Sequence, residues 1–217
     1  MEKRILLTEA LHLSFGNKED FALIYPFYQK DFPAPERKDQ TRLLALLEKE
    51  VYKLLILKYR LNSTILGYAF VHKLPFLQVL WLDYLAINPS FRGHGLGSAF
   101  LKMILTEYQP LVTGMFIEVE IPNPKDPDKA LTQNKRIRFY EKSGAKRLNI
   151  PYLFPSIDGP FPMFLYYLSN VPLTTLSGSF INGTLNNVFR ALHADVPNFK
   201  HVLNDNLEAL PDLVPLN

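Results

Sequence analysis

The sequence predicts an α/β (α+β) domain that carries a C-terminal helical appendage. Three observations lead there. Apolar patterns of period two and of period near 3.6 alternate along residues 4–170. Two strand-like runs, VYKLLILKYR and STILGYAFVHK, are separated by a short polar turn and read as an antiparallel hairpin. Beyond Val171 the texture changes to a Ser/Gly stretch followed by two amphipathic helical patterns.

Composition narrows the class. With 47% hydrophobic and 21% charged residues among 217, the chain can bury a sizeable core, which excludes disorder as its default state. A formal net charge of +3 is a mild excess of base that suits anionic ligands and is too weak to indicate nucleic acid. Cysteine is absent, which removes disulfides, thiolate zinc sites and a thiol nucleophile together and fits a reducing compartment. The opening MEKRILLTEALHLSFG lacks the apolar core and cleavage site of a secretory signal. No apolar run reaches the roughly 18 to 20 residues that span a bilayer. A cytoplasmic protein with no membrane or nucleic-acid partner is expected.

The elements follow in order. Residues 4–12 form a first strand. Phe21, Ile24, Tyr25 and Tyr28 recur at helical spacing between Asn17 and Phe32, with Pro26 expected to kink or shorten that helix. DFPAPE is a turn, and Pro35 opens a second helix that runs to about Glu50. After the hairpin, FLQVLWLDYLAINPS is a strand, and residues 98–109 place Phe100, Leu101, Ile104, Leu105 and Tyr108 on one helical face. GMFIEVEIP alternates strictly, so Met115, Ile117, Val119 and Ile121 share a face opposite Glu118 and Glu120. A charged loop, NPKDPDKALTQ, leads into a short helix, NKRIRFYEKSG, stopped by Gly144. AKRLNI and PMFLYYLS close as strands. SGSFINGT then reads as a linker to two helices broken at Pro197, whose apolar stripes bury on the parent domain or, by preference, between two copies in a homodimer.

Between the FLQVL strand and the helix at 98 lies FRGHGLGS, with Gly93, Gly95 and Gly97 in five positions. A glycine turn from strand to helix collects unpaired backbone N–H groups at the positive end of the helix dipole, an anion site. A Walker A loop needs a Gly-Lys-Ser/Thr ending, and this loop has no lysine. The dinucleotide fingerprint needs glycine three places after Gly95, and Ser98 stands there.

The spacing Arg92-x-x-Gly95-x-Gly97 resembles the GCN5-related N-acetyltransferase (GNAT) family, whose pyrophosphate signature is Gln/Arg-x-x-Gly-x-Gly/Ala. The upstream Tyr84-Leu85-Ala86-Ile87-Asn88-Pro89 is similar to that family's entry into the loop, and RIRFYEKSGA resembles its second motif, a helix ending Tyr-x-x-x-Gly. The resemblance covers roughly residues 1–170 and implies a mixed, mostly antiparallel sheet flanked by helices, with 171–217 as an extension. It implies that backbone amides of Arg92, Gly93, His94, Gly95, Leu96 and Gly97, with Ser98 behind them, hold the pyrophosphate of acetyl-CoA. It also implies that the backbone of Leu85, Ala86 and Ile87 pairs with the pantetheine arm. Gln133 stands where many members carry asparagine, Asn134 follows it as the cofactor-contacting candidate, and Ala145 replaces the usual aromatic.

For the chemistry, Tyr140 matches the residue that hydrogen-bonds the CoA sulfur in many members and is the candidate acid for the leaving thiolate. A carboxylate is the candidate base, with Glu118 ahead of Asp83 and Glu120. Phe27, Tyr28, Phe32 and Glu36 border the segment that often lines the acceptor site in the family. No pair of histidines has metal-ligand spacing with suitable partners, so no metal is expected. The function implied is direct acetyl transfer from acetyl-CoA to a primary amine, a small molecule ahead of a protein or peptide. A non-catalytic acyl-CoA-binding module is the reading from another class.

Overall fold

The computed structural model describes residues 10–217. It is a mixed α/β structure with a mostly antiparallel sheet flanked by six α-helices among the described residues. Most of the strand expected over 4–12, and most of the opening segment weighed as a signal, lie outside the described residues. The chain divides into two compact units. One holds the residues up to Lys73 with Leu82–Gln109, and the other holds Leu74–Trp81 with Pro110–Asn217.

The first unit begins with β1 (Leu11–Phe15) and α1 (Lys18–Asp31), followed by α2 (Gln40–Glu48), β2 (Tyr52–Tyr59) and β3 (Ile65–Leu74). It closes with the later part of β4 (Val79–Ile87) and with α3 (Leu96–Tyr108). Strand β2 pairs antiparallel with β1 and with β3, in a register that sets Tyr52 opposite His72 and Leu57 opposite Gly67. The hairpin is the one the pattern predicts. Helix α1 starts in a capping box, in which the Asn17 side chain accepts from the Asp20 N–H at 2.8 Å and Asp20 accepts from the Asn17 N–H at 3.2 Å. Pro26 lies inside this helix and does not shorten it. An interior proline costs about 3 kcal/mol. Burial of Phe21, Ile24 and Tyr28, each no more than 2% exposed, outweighs it at about 1.5–3 kcal/mol apiece.

The second helix departs from expectation. Pro35 opens only a single 3₁₀ turn, Ala34–Glu36, and α2 starts at Gln40, where the Asp39 carboxylate accepts from the Arg42 N–H at 2.8 Å. The delay has a tertiary cause. The Tyr28 hydroxyl bonds both the N–H and the carbonyl of Lys38, which holds that residue extended before the cap. Helix α3 buries Leu96 together with the five residues of the predicted face.

The second unit contains Val79–Trp81 of β4, then β5 (Gly114–Glu120), α4 (Pro127–Lys142), β6 (Lys146–Arg147), β7 (Leu153–Phe154) and β8 (Phe161–Ser169). It ends with β9 (Thr175–Ser177), α5 (Gly178–Leu192), α6 (Phe199–Glu208) and β10 (Leu213–Pro215), β9 and β10 forming an antiparallel pair. Strand β8 pairs antiparallel with β5 from Gly114↔Ser169 to Glu120↔Met163, and also with β6 and β7. Helix α4 begins well before the short helix expected: Asp126 caps the Lys129 N–H at 3.0 Å and Pro127 occupies the first turn, so the charged loop is largely helix.

SGSFINGT is likewise not a linker. Ser177 caps the Phe180 N–H at 3.2 Å, and α5 starts at Gly178, where an added Cβ would stand 2.1 Å from the Pro211 carbonyl oxygen. The two-helix reading holds, with the break at His193–Asn198. Their stripes bury inside this unit: Ile181, Leu185, Val188, Phe189, Leu192, Val202 and Leu203 are 4% exposed or less. Phe180 packs on Phe116 and Tyr167, and Phe189 on Tyr152. These stripes therefore supply no reason for a second copy.

Candidate active site

In the first unit β4 ends at Ile87 in a turn that the Asn88 side chain closes by accepting from the Ser90 N–H at 3.1 Å. Strand β3 crowds this end of β4. An added Cβ on Gly67 would come 2.6 Å from the Ala86 carbonyl oxygen, and the Asn88 N–H donates to Leu66. Leu85 and Ile87 are half-buried and Ala86 is buried.

After the 3₁₀ turn Pro89–Phe91 the backbone turns left-handed at Gly93 (φ +84°) and Gly95 (φ +78°), a region that penalises any side chain with a Cβ. Gly95 is the N-cap of α3 and makes no side-chain cap hydrogen bond. Leu96 is buried and anchors the turn from below, while Gly97 and Ser98 lie in the first turn of α3. The His94 ring is exposed, its Nδ1 3.3 Å from the Phe91 carbonyl. Arg92 Nε donates to the Ile87 carbonyl at 2.8 Å, which ties the loop to the strand that precedes it. The positions 85–87 and 92–98 thus form one continuous backbone feature, electropositive at the helix end.

Asp83 belongs to a different arrangement in the same unit. Its carboxylate pairs with Lys38 Nζ at 2.9 Å and accepts from the Tyr52 hydroxyl. Both ion-pair partners are buried, at 9% and 3% side-chain exposure. Lys38 also lies 5.4 Å and 5.9 Å from the ring centroids of Tyr84 and Tyr52. Tyr28 and Phe32 each approach Tyr84 at 4.9 Å, and the Tyr84 hydroxyl donates to the Glu36 carbonyl at 2.6 Å. Segment 32–39 is therefore stitched to β4 through Asp83 and Tyr84. Phe27, by contrast, is half exposed.

In the second unit Tyr140 is buried on α4, with its ring 4.8 Å from Phe139. Burial pushes its hydroxyl pKa up to about 12, against a smaller lowering by Arg136. Glu118 is half-buried on β5, where it accepts from Trp81 Nε1 at 3.3 Å and from the Tyr152 hydroxyl at 2.5 Å. Glu120 is bonded by Arg136 at 2.8 Å and Gln133 at 3.3 Å, with Lys129 at 3.7 Å. On the face carrying Phe116, Glu118 and Glu120, Phe116 packs against Phe180 of α5 and Glu120 accepts from Arg136 of α4, while Glu118 stays half-buried.

Gln133, which occupies the asparagine position, is buried and bonds both Glu120 and the Asn123 N–H. Asn134 is exposed and donates to the Ala130 carbonyl of its own helix. Sequence reasoning did not single out Lys38, Tyr52, Trp81 or Tyr152. One signal was available: a buried indole N–H requires an acceptor, and Trp81 is the chain's single tryptophan.

The acetyltransferase (GNAT) family model matches residues 21–145. No curated protein sequence matches the chain. Among solved structures, a GNAT-family protein from Bacteroides thetaiotaomicron is 18% identical, with 74% of this chain and 88% of that one covered and a TM-score of 0.61. The ribosomal-protein-S18-alanine N-acetyltransferase of Escherichia coli is 21% identical, at 75% and 99% coverage and a TM-score of 0.54. Spermidine N-acetyltransferase from Vibrio cholerae, solved with CoA and spermine, is 13% identical, at 74% and 96% coverage and a TM-score of 0.57.

Proposed function

We propose that this chain, which belongs to the GNAT family of acetyltransferases and takes acetyl-CoA as its co-substrate, transfers acetyl directly to a primary amine of a small molecule. Direct transfer is favoured because the chain has no cysteine to carry an acetyl-enzyme thioester. The glycine turn supports pyrophosphate binding: Gly95 and Gly97 let phosphate oxygens reach the main chain between Arg92 and Ser98. The backbone of Leu85, Ala86 and Ile87 is assigned to the pantetheine arm by family resemblance, as is Asn134 to a cofactor contact.

The observation that carries the amine reading is Glu118. Two fully buried donors, Trp81 and Tyr152, hold each oxygen of its carboxylate in a fixed direction while the residue itself is half open. A positioned carboxylate attracts an alkylammonium and, directly or through water, takes the proton that the amine must lose before attack. The freed lone pair forms the C–N bond at the thioester carbonyl, and the C–S bond breaks as the tetrahedral intermediate collapses. The sulfur leaves as a thiolate, and the second proton shed by the nitrogen passes to that thiolate or to water. Tyr140 is assigned to donate a hydrogen bond to that sulfur. The neighbours divide between a protein substrate and a polyamine in their own names; the small molecule is placed first because no segment of the sequence reads as a peptide-recognition module.

Residues 1–170 are taken as the transferase domain and 171–217 as its extension on the family resemblance, and the family match spans residues 21–145. A cytoplasmic setting is supported by the missing cysteines, and among the described residues no helix is long and apolar enough to cross a membrane. The test is a screen that reads free CoA over small aliphatic and aromatic amines, lysine peptides and peptides with free N-termini. The reading expects at least one small amine with kcat/KM about tenfold or more above every peptide. The reverse ranking overturns it.

A further inference from the structure

The last residue of α1 stands against its local electrostatics. Asp31 occupies the C-terminal turn of the helix, where exposed carbonyls carry negative charge and a carboxylate is repelled. A charge kept in a locally unfavourable place points to a tertiary partner that outweighs the conflict. Asp31 has two, one for each oxygen. Oδ2 accepts from the Tyr68 hydroxyl on β3 at 3.0 Å, and Oδ1 pairs with Arg92 Nη2 at 2.8 Å. The aspartate side chain is 11% exposed and the arginine side chain 54%.

Arg92 is therefore held from two sides, by Asp31 at the end of α1 and by the Ile87 carbonyl at the end of β4. Its backbone is extended (φ −67°, ψ 159°), and the next residue, Gly93, turns left-handed. Fixing the guanidinium fixes the direction in which the chain leaves for the Gly93–Gly95 turn. Tyr68 secures the other side of the aspartate. Burial, and next the charge of Asp31, push the Tyr68 phenol far above its ordinary range, so it remains a donor at every working pH.

We propose that Asp31 is a positioning residue for acetyl-CoA binding: through Arg92 it pre-orders the glycine turn that receives the pyrophosphate. This rests on the assignment of that turn made above. A turn ordered before the ligand arrives loses less conformational entropy on binding, so the contribution appears in affinity and not in the chemical step.

The experiment measures acetyl-CoA affinity by calorimetry, and kcat and KM for both substrates, in wild type, Asp31→Asn, Asp31→Glu, Arg92→Ala, the Asp31→Asn/Arg92→Ala double variant and Gly95→Val. Asparagine keeps the size of the side chain and still accepts from Tyr68. The expected result for Asp31→Asn is a Kd and a KM for acetyl-CoA raised about threefold to fivefold, the scale of a partly exposed pair. Saturated kcat stays within about twofold, Asp31→Glu recovers most of the loss, and the double variant binds no more weakly than Arg92→Ala alone. An unchanged Kd in Asp31→Asn, or losses that multiply in the double variant, overturns the proposal. If Gly95→Val weakens binding while Asp31→Asn does not, the turn assignment stands and the role of Asp31 falls. If Gly95→Val, still folded, binds as well as wild type, the turn assignment falls and takes this inference with it.

Discussion

Tyr140 and the carboxylates separate role from residue type. A phenol at its ordinary pKa near 10 is already a weaker acid than a thiol near 8.5. Burial moves Tyr140 further away, to about 12. Complete proton transfer to the leaving sulfur is then uphill, whereas hydrogen-bond donation persists because the raised pKa keeps the phenol protonated across the working range. Tyr140→Phe is expected to lower kcat about tenfold with acetyl-CoA affinity nearly unchanged. The wild-type rate profile is expected to show no alkaline fall from this group below about pH 11. A fall near pH 9 that vanishes in the variant would contradict the assignment. The carboxylates divide by their partners. Glu118→Gln is expected to lower kcat/KM and remove the acidic limb of the profile with little change in Tm. Asp83→Asn leaves Lys38 buried without its counter-charge, and such a break costs about 3–5 kcal/mol. A drop in Tm is expected there, read by calorimetry, with the acidic limb retained. Loss of that limb in Asp83→Asn alone would move the base to Asp83. Glu118 and Asp83 could both be named from the sequence as strand carboxylates. Which one is ion-paired could not, because Lys38 lies 45 residues from Asp83.

At the level of elements, the hairpin and the glycine-loop helix were legible because their signals are local. A turn between two β-rich runs, a left-handed glycine and a 3.6-residue stripe need no distant partner. The errors fell where capping or tertiary contact decides. Asp126-Pro127 is a local start signal inside a segment whose charge suggests a loop, and Ser177 is a cap inside a glycine-rich one. Segment 37–39 stays extended because Tyr28 and Asp83 hold Lys38. The hairpin carries a pH dependence of its own. His72, opposite Tyr52, places Nδ1 2.7 Å from the Val51 carbonyl, which only accepts, so that nitrogen bears the proton of the neutral ring. Burial lowers the His72 pKa below 6.5, partly countered by that hydrogen bond. The folded state therefore binds fewer protons than the unfolded chain, and this stability is present above pH 6.5 and lost as pH falls below it. The drop in Tm between pH 7.5 and 5.5 is expected to be smaller in His72→Gln than in wild type, and an equal drop in both would remove His72 from the account.

On the scale of the whole molecule, the C-terminal helices belong to the packing of the second unit. Removing everything after Asn170 uncovers Phe116 and Tyr167, which lie under Phe180, and Tyr152, which lies under Phe189 and orients Glu118. Asn206 also leaves, and with it the bonds to both the N–H and the carbonyl of Leu153. The truncated chain is expected to be strongly destabilised, with Tm lowered by well over 10 °C or no cooperative transition. A truncated protein that melts cooperatively near the wild-type Tm would show the helices to be dispensable. The amino-acid sequence by itself determined the family, the glycine turn and most elements, because a glycine spacing, a cap or an amphipathic period is written within a few turns of chain. Tertiary structure alone decided that the charges of Asp83, Glu120 and Asp31 are paired, that Glu118 is aimed by Trp81 and Tyr152, and that the C-terminal stripes bury inside the chain. Those outcomes depend on which distant groups meet in space, and burial sets the cost of leaving any of them unpaired.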